Sequence, residues 1–141
     1  MKIRNCLIFA AAAFTALIPA AAQSHISTQA HQAPVTAIAP VRGTPDSKTF
    51  FSAGQDGFLV KWTDDDQGDH YQISALTIKF AVCSPDGQDI AVYETDGGLI
   101  NRVSVWNWAT LTRKYARRFS DSVTSLSYSA AGNYLIVGTA T

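Results

Sequence analysis

The stretch from Val35 to Trp62 reads VTAIAPVRGTPDSKTFFSAGQDGFLVKW, and it decides the fold of this 141-residue chain. Short runs of alternating apolar and polar residues are separated by turn-forming residues, and Trp62 follows the Asp56-Gly57 corner. Such alternation predicts β-strands with one buried face. The stretch therefore predicts a small antiparallel sheet.

The same pattern returns twice further along the chain. IKFAVCSPDGQDIAVYETDGGLINRVSVW extends from Ile78 to Trp106, and VTSLSYSAAGNYLIVGTAT begins at Val123. Trp62 and Trp106 are 44 residues apart, and Ile78 and Val123 are 45 residues apart. A period near 40–45 residues with four short strands in each unit is typical of β-propeller blades.

The predicted fold class is all-β, because no stretch holds a helical period for three turns. One sheet cannot bury both of its faces, so neighbouring units must stack. We expect a partial β-propeller of four-stranded antiparallel blades, about 2.5 in number, with blades near residues 35–74, 77–119 and 123–141. The expected strands are Val35–Pro40, Thr49–Ala53, Phe58–Thr63, Tyr71–Ser74, Thr77–Ser84, Asp89–Glu94, Arg102–Trp108, Lys114–Phe119, Val123–Ser129 and Tyr134–Gly138, of which Tyr71–Ser74 and Lys114–Phe119 carry the weaker pattern.

The first unit resembles the WD-repeat β-propeller family in the segment FFSAGQDGFLVKW. That resemblance covers nearly all of the chain after the leader. It implies a hydrogen-bonded structural tetrad of His31, Ser52, Asp56 and Trp62. It also implies a rigid ring whose loops and central opening bind other proteins, and no catalytic residue comes with it.

The later units depart from the family pattern, and neither closing Trp is followed by Asp. The second unit keeps Asp96 but has Val92 at the Ser position and Ser74 near the His position. The third unit has Phe119 at the His position and Val137 at the Ser position. Other propeller families share the Ser-Pro-Asp-Gly motif of the second unit. The motifs therefore indicate a propeller fold more specifically than they indicate one propeller family.

The first 22 residues have the layout of a secretory signal peptide. Lys2 and Arg4 precede an uncharged run from Cys6 to Ala22, and the run ends in three Ala residues. We expect a signal helix that is cleaved after Ala22, followed by a linker over residues 23–34. The alternative is an uncleaved membrane anchor, although 17 residues rich in Ala are short for a span.

Removal of the signal leaves nine basic and eleven acidic residues, so the net charge becomes −2. That balance argues against nucleic acid as a partner. Cys83 is then the only cysteine, which excludes an internal disulfide, and its strand-like surroundings predict a small core residue.

One acidic cluster could bind a divalent cation: the run Asp64–Asp66 with Asp69 and His70. The twelfth position counted from Asp64 is Ala75, where a calcium loop needs an acidic residue. We therefore favour a solvated loop and expect neither metal nor cofactor. Gly-x-Ser-x-Gly, phosphate-loop and dinucleotide motifs are absent, so we expect no catalytic residue in this sequence.

A basic run stands near the end of the second unit. It could contact an anionic surface, peptide or polymer, but its alternation also fits an outer strand with a solvated face. We favour the outer strand. The basic residues are Arg113, Lys114, Arg117 and Arg118.

We expect an exported, periplasmic or secreted, non-enzymatic scaffold that binds other proteins and has no stable membrane insertion after cleavage. One alternative is the N-terminal propeller of a secreted enzyme, such as a prolyl-oligopeptidase-type hydrolase with catalysis in a later domain. Another is a propeller that holds a cofactor or metal itself. Since Thr141 falls near the second strand of the third unit, we expect an N-terminal fragment of a longer propeller, or an assembly of several copies into one ring.

Overall fold

The structure is a computed structural model that describes residues 31–42, 49–63 and 68–141, and these residues are all-β. The predicted signal helix lies outside the described residues. Nothing within the described ranges forms a helix long and apolar enough to cross a bilayer. The strands are β1 (Val35–Pro40), β2 (Phe50–Gly54), β3 (Phe58–Trp62), β4 (Asp69–Gln72), β5 (Thr77–Cys83), β6 (Asp89–Thr95), β7 (Asn101–Asn107), β8 (Arg113–Phe119), β9 (Val123–Tyr128) and β10 (Leu135–Thr139).

The strands form two four-stranded sheets and one hairpin, and every pairing is antiparallel. The first sheet has the order β1-β2-β3-β4, the second β5-β6-β7-β8, and β9 pairs with β10. Strands consecutive in sequence are neighbours because short loops join antiparallel strands directly. The prediction of an all-β fold with four-stranded antiparallel sheets is confirmed, and each expected strand overlaps an observed one.

One turn design recurs after the first strand of the second sheet and of the hairpin. The Gly87 amide donates to the Ser84 carbonyl oxygen at 3.0 Å, and the Gly132 amide donates to that of Ser129 at 2.9 Å. Both glycines have positive φ, 73° and 76°, which side chains with a Cβ rarely adopt. The two serines are 45 residues apart, so the repeat period seen in the sequence is a repeat of turn geometry.

The first hydrophobic core lies between the first and second sheets. Phe51 and Leu59 project from the first sheet and Ile78 and Ile90 from the second, and all four are fully buried. Burying one such side chain contributes about 1.5–3 kcal/mol. The face of β2 and β3 that carries Phe51 and Leu59 is therefore the face that packs on the second sheet. The remaining buried members of this cluster are Val41, Ala53, Ala81 and Val92.

A second core lies between the other face of the second sheet and the β9–β10 hairpin. Tyr93 and Val103 pack there with Val123 and Leu126. Phe80 stacks on Tyr93 with 5.8 Å between ring centroids. The second sheet is thus covered on both faces, which is why its strand β6 is almost continuously buried.

Polar contacts also join the first and second sheets. The Thr36 hydroxyl on β1 donates to the Ile78 carbonyl oxygen on β5 at 2.8 Å. The Lys61 ammonium donates to the Trp108 carbonyl oxygen at 2.5 Å and lies 4.5 Å from the centroid of a Trp108 ring. These contacts fix the stacking of adjacent sheets in addition to their apolar contacts.

Candidate functional site

Four residues that the family resemblance implies as a tetrad lie in one hydrogen-bonded chain in the first sheet. The Trp62 indole N–H donates to Ser52 Oγ at 2.9 Å. His31 Nε2 lies 2.8 Å from the same oxygen, and His31 Nδ1 lies 3.1 Å from both carboxylate oxygens of Asp56. The chain connects the segment before β1 with β2, the β2–β3 corner and β3.

All donors in this chain are satisfied in one arrangement of protons. With the proton of a neutral His31 on Nδ1, that nitrogen donates to Asp56, and Nε2 accepts the hydroxyl proton of Ser52. Ser52 Oγ remains free to accept from Trp62. The His31 side chain is 4% exposed and that of Asp56 9% exposed, so the network is shielded from competing water.

Asp56 is held as a carboxylate by the donors around it. Burial by itself would raise the pKa of this carboxyl group. The amide of Phe58 at 3.1 Å, the ring of His31 and the amide of Gln32 at 2.9 Å all stabilise the charged form, and together they lower its pKa below the usual value. Asp56 therefore serves as an acceptor of hydrogen bonds and not as a proton donor.

The second sheet contains a different buried network, centred on Glu94. Ser74 Oγ donates to Glu94 at 3.0 Å, and Arg102 Nε donates to it at 2.9 Å. Ser104 Oγ also hydrogen bonds to Glu94, and the Trp106 indole donates to Ser104 Oγ at 2.9 Å. Glu94 is completely buried, so this carboxylate depends on its partners for stabilisation.

Sequence reasoning missed Glu94 and Ser104. It aligned Asp96 with Asp56, but Asp96 lies on the exposed loop, where it accepts the amides of Gly98 and Ile100 at 2.9 Å each. Those amides lower the pKa of Asp96. The sequence did offer a signal. Glu94 is an acidic residue in a run otherwise typical of a buried strand, and Ser104 stands two residues before Trp106, where the first unit has Val60 before Trp62.

Most of the acidic cluster lies outside the described residues, since Asp64–Asp66 are not among them. Asp69 and His70 are exposed neighbours on β4. No group of three or more potential metal-ligating side chains occurs within the described part of the chain.

Cys83 is half-buried at the end of β5 and is a free thiol. Burial is the largest cause and raises its pKa. A backbone hydrogen bond with Arg42 opposes this, and the carboxylates of Asp86 and Asp89 act in the same direction as burial. A raised pKa keeps the group protonated and makes it a weak nucleophile.

A cavity of about 370 Å³ lies at the ends of β1, β5 and β9, the adjacent first strands of the two sheets and the hairpin. Arg42, Cys83 and Tyr128 line it, together with small residues. The Tyr128 hydroxyl is buried and has no hydrogen-bond partner in the described ranges, and burial raises its pKa. Sequence reasoning did not single out Tyr128, although the 45-residue period aligns it with Cys83.

The basic run predicted as an outer strand forms β8. Within the described residues, β8 has one strand neighbour, β7, along one of its edges. All of its residues except Phe119 are exposed. Lys114 forms an ion pair with Asp89 at 2.7 Å. The guanidinium groups of Arg113 and Arg117 lie over the Trp106 and Phe119 rings, at 5.9 and 5.6 Å from the centroids.

A hydrophobic core separates each sheet from the next, and the first strands β1, β5 and β9 lie side by side. This arrangement defines a β-propeller segment. Residues 15–141 match the family described as the N-terminal beta-propeller domain, and the chain belongs to that family. An uncharacterized protein of Treponema pallidum (strain Nichols) is 52% identical over 93 residues, which are 65% of this chain and 15% of that protein. The chain therefore spans about 15% of the length of this relative.

Two solved structures have a similar fold. The C-terminal WD40 domain of Sif2 has a TM-score of 0.63 at 20% identity, with 78% of this chain and 32% of that chain covered. The WD40 repeats of RRP9 have a TM-score of 0.63 at 18% identity, with 76% and 33% covered. At this level of identity the likeness concerns the fold alone, and this chain corresponds to about a third of each domain.

Proposed function

We propose that this chain is the propeller segment of an exported WD-repeat-type protein that acts as a non-enzymatic scaffold for other proteins. One observation carries the proposal. Five residues of types that catalysis often uses are committed to structural networks: His31, Ser52 and Asp56 in the first sheet, and Glu94 with Arg102 in the second. Side chains committed in this way stiffen the sheets and leave recognition to exposed loops and edges.

Three further features support the proposal. The tetrad residues of the first sheet have the hydrogen bonds that the WD-repeat resemblance implies. WD40 domains are among the structures that share the fold, and such rigid platforms suit contacts with proteins. The basic start and apolar run of residues 1–22 support export with cleavage after Ala22, and a periplasmic location.

The test is capture of the full-length exported protein from its host after chemical crosslinking, followed by direct binding measurements with each purified candidate. We expect a partner that binds saturably, and an N-terminus at Gln23 on the mature protein. Capture of background proteins only, or candidates that fail to bind when purified, would overturn the scaffold. An intact N-terminus on the exported protein would overturn cleavage after Ala22.

A further inference from the structure

Positive charge is concentrated on strand β8. Four of the eleven Lys and Arg residues of the chain fall within the seven residues of this strand. The chain as a whole has equal numbers of basic and acidic residues, so this concentration is a local segregation of charge. Segregated charge on a surface creates a field that attracts groups of the opposite sign.

Most of this charge is not neutralised within the described residues. Lys114 pairs with Asp89, and the neighbouring Arg102 pairs with Glu94. Arg113, Arg117 and Arg118 have no acidic partner within 4 Å in the described ranges. The ring contacts of Arg113 and Arg117 hold these side chains against the sheet and leave their charge uncompensated.

β8 also offers a free backbone edge. It is the last strand of the second sheet, and its outer edge has no strand neighbour in the described part of the chain. An exposed edge can add one more strand through main-chain hydrogen bonds, and charged side chains on such an edge disfavour pairing with neutral strands. The same charges favour a strand that carries acidic residues.

One face of the strand carries an aromatic side chain beside an arginine. Tyr115 and Arg117 are opposite Val105 and Val103 on β7, so their side chains share this face of the sheet. The Tyr115 side chain is 58% exposed. Arg118 points to the other face, because consecutive residues of a strand alternate.

We propose that β8 docks an acidic, extended segment of a partner protein, which pairs with its free edge as an additional antiparallel strand. Two consecutive acidic residues of the segment lie beside Arg117 and Arg118, one on each face of the sheet. An apolar residue two positions further along lies beside Tyr115. This inference rests on the proposed scaffold function and assigns it a surface and a partner chemistry.

The test uses the full chain and a fluorescent probe peptide, Thr-Val-Thr-Glu-Glu-Thr-Val-Thr, with binding followed by anisotropy. The control peptide has Gln in place of both Glu residues. We expect the acidic peptide to bind at least about tenfold more tightly than the control, with an affinity that falls as salt screens the contact. Equal binding of the two peptides, or no binding, would overturn the proposal.

Variants of the chain localise the contact. R117E/R118E is expected to weaken binding at least about tenfold. R117Q/R118Q removes the charges without reversing them, so it is expected to weaken binding less. The matched control is R42E/K79E, which changes the net charge equally at two exposed residues outside β8. Equal weakening by the two Glu pairs would show a general charge attraction and overturn the site.

Strand pairing has its own measurement. Amide hydrogen exchange on β8 is expected to slow when the acidic peptide binds, because newly paired amides are protected. Binding without such protection, or tighter binding to anionic lipid vesicles than to the peptide, would overturn the docked strand. If the peptide does not bind but partners captured from the host bind R117E/R118E normally, the scaffold function is supported and the β8 docking surface is overturned. If the peptide does not bind and no partner is captured, the scaffold function and the docking surface are both overturned.

Discussion

The indole of Trp106 donates a hydrogen bond of 2.9 Å to the hydroxyl of Ser104, two residues earlier on the same strand. In the first sheet the equivalent indole, Trp62, donates over the same distance to Ser52 on the neighbouring strand. Ser52 is opposite Val60, and Val92 is opposite Ser104. The hydroxyl and the valine have exchanged strands.

This exchange preserves the hydrogen bond because residues opposite each other in a sheet share a face, with Cβ atoms about 4.5–5.5 Å apart. A hydroxyl on either strand can therefore reach the same indole. The exchange also brings Ser104 beside Glu94, and the buried carboxylate in turn requires Arg102. Each complete sheet thus has a satisfied polar network built from different residues.

Ser52→Ala tests the network of the first sheet. The substitution removes the acceptor of the Trp62 indole and the partner of His31 Nε2. We expect the free energy of unfolding to fall by at least about 1–3 kcal/mol, the cost of one buried polar group left unpaired. Urea unfolding measures it. Ser127→Ala is the control on an exposed position of β9, with a change expected within about 0.5 kcal/mol.

Glu94→Gln tests the network of the second sheet. It keeps the shape of the side chain but leaves Arg102 without its counter-charge. Removing one partner of a buried ion pair costs about 3–5 kcal/mol, and the lower end applies here because the Arg102 side chain retains 23% exposure. Thermal and urea unfolding of this variant give the loss.

The companion variants separate charge from packing. The double variant Glu94→Gln/Arg102→Gln is expected to lose less stability than the sum of its two single variants, because each single variant leaves an isolated charge and the double variant leaves none. Lys114→Gln breaks a surface pair with Asp89 and is expected to cost at most about 1 kcal/mol. Strict additivity at Glu94 and Arg102 would contradict the coupling.

Gly57→Ala and Gly97→Ala test how tightly two corners are packed. Both glycines have positive φ, 77° and 82°, where a Cβ costs about 1–2 kcal/mol. A Cβ on Gly57 would also lie 2.0 Å from the carbonyl oxygen of Ser74, whereas one on Gly97 would meet nothing within 4 Å. Gly57→Ala is therefore expected to lower the unfolding midpoint more than Gly97→Ala, and equal effects would contradict the packing.

Acid is expected to destabilise the first sheet through Asp56. Its pKa is lower in the folded state than the value of about 3.9 in an unfolded chain. The stability that it contributes is therefore complete above that unfolded value and is lost as the pH falls through the folded pKa. Melting temperatures measured from pH 6 down to pH 2 should fall more steeply for the parent than for Asp56→Asn.

The control for acid sensitivity is Asp69→Asn, a change on the exposed strand β4 outside the network. The melting temperature of Asp69→Asn should fall below about pH 4 as steeply as that of the parent. Some acid sensitivity will remain in Asp56→Asn, because hydrogen bonds also lower the pKa of Asp86 and Asp96. A parent and an Asp56→Asn variant with parallel profiles would contradict the role of Asp56.

Local pattern was sufficient for the strands. The bounds of β1 match the expected Val35–Pro40, and the other strands differ from expectation by one or two residues at most of their ends. Alternation and turn residues act over a few neighbours, so a sequence reveals them directly. His31, Ser52, Asp56 and Trp62 were also identifiable, because they stand at the spacings of the family that the first unit resembles.

The sequence by itself determined the repeat, the strands and their antiparallel arrangement in four-stranded sheets, since these depend on local alternation and short turns. Only the tertiary structure decided which acid is buried in the second sheet. Asp96 and Glu94 are two residues apart, and one is solvated while the other is enclosed by Ser74, Arg102 and Ser104. The physical reason is that a buried carboxylate is stable only where partners from other strands converge, and strand register sets that convergence.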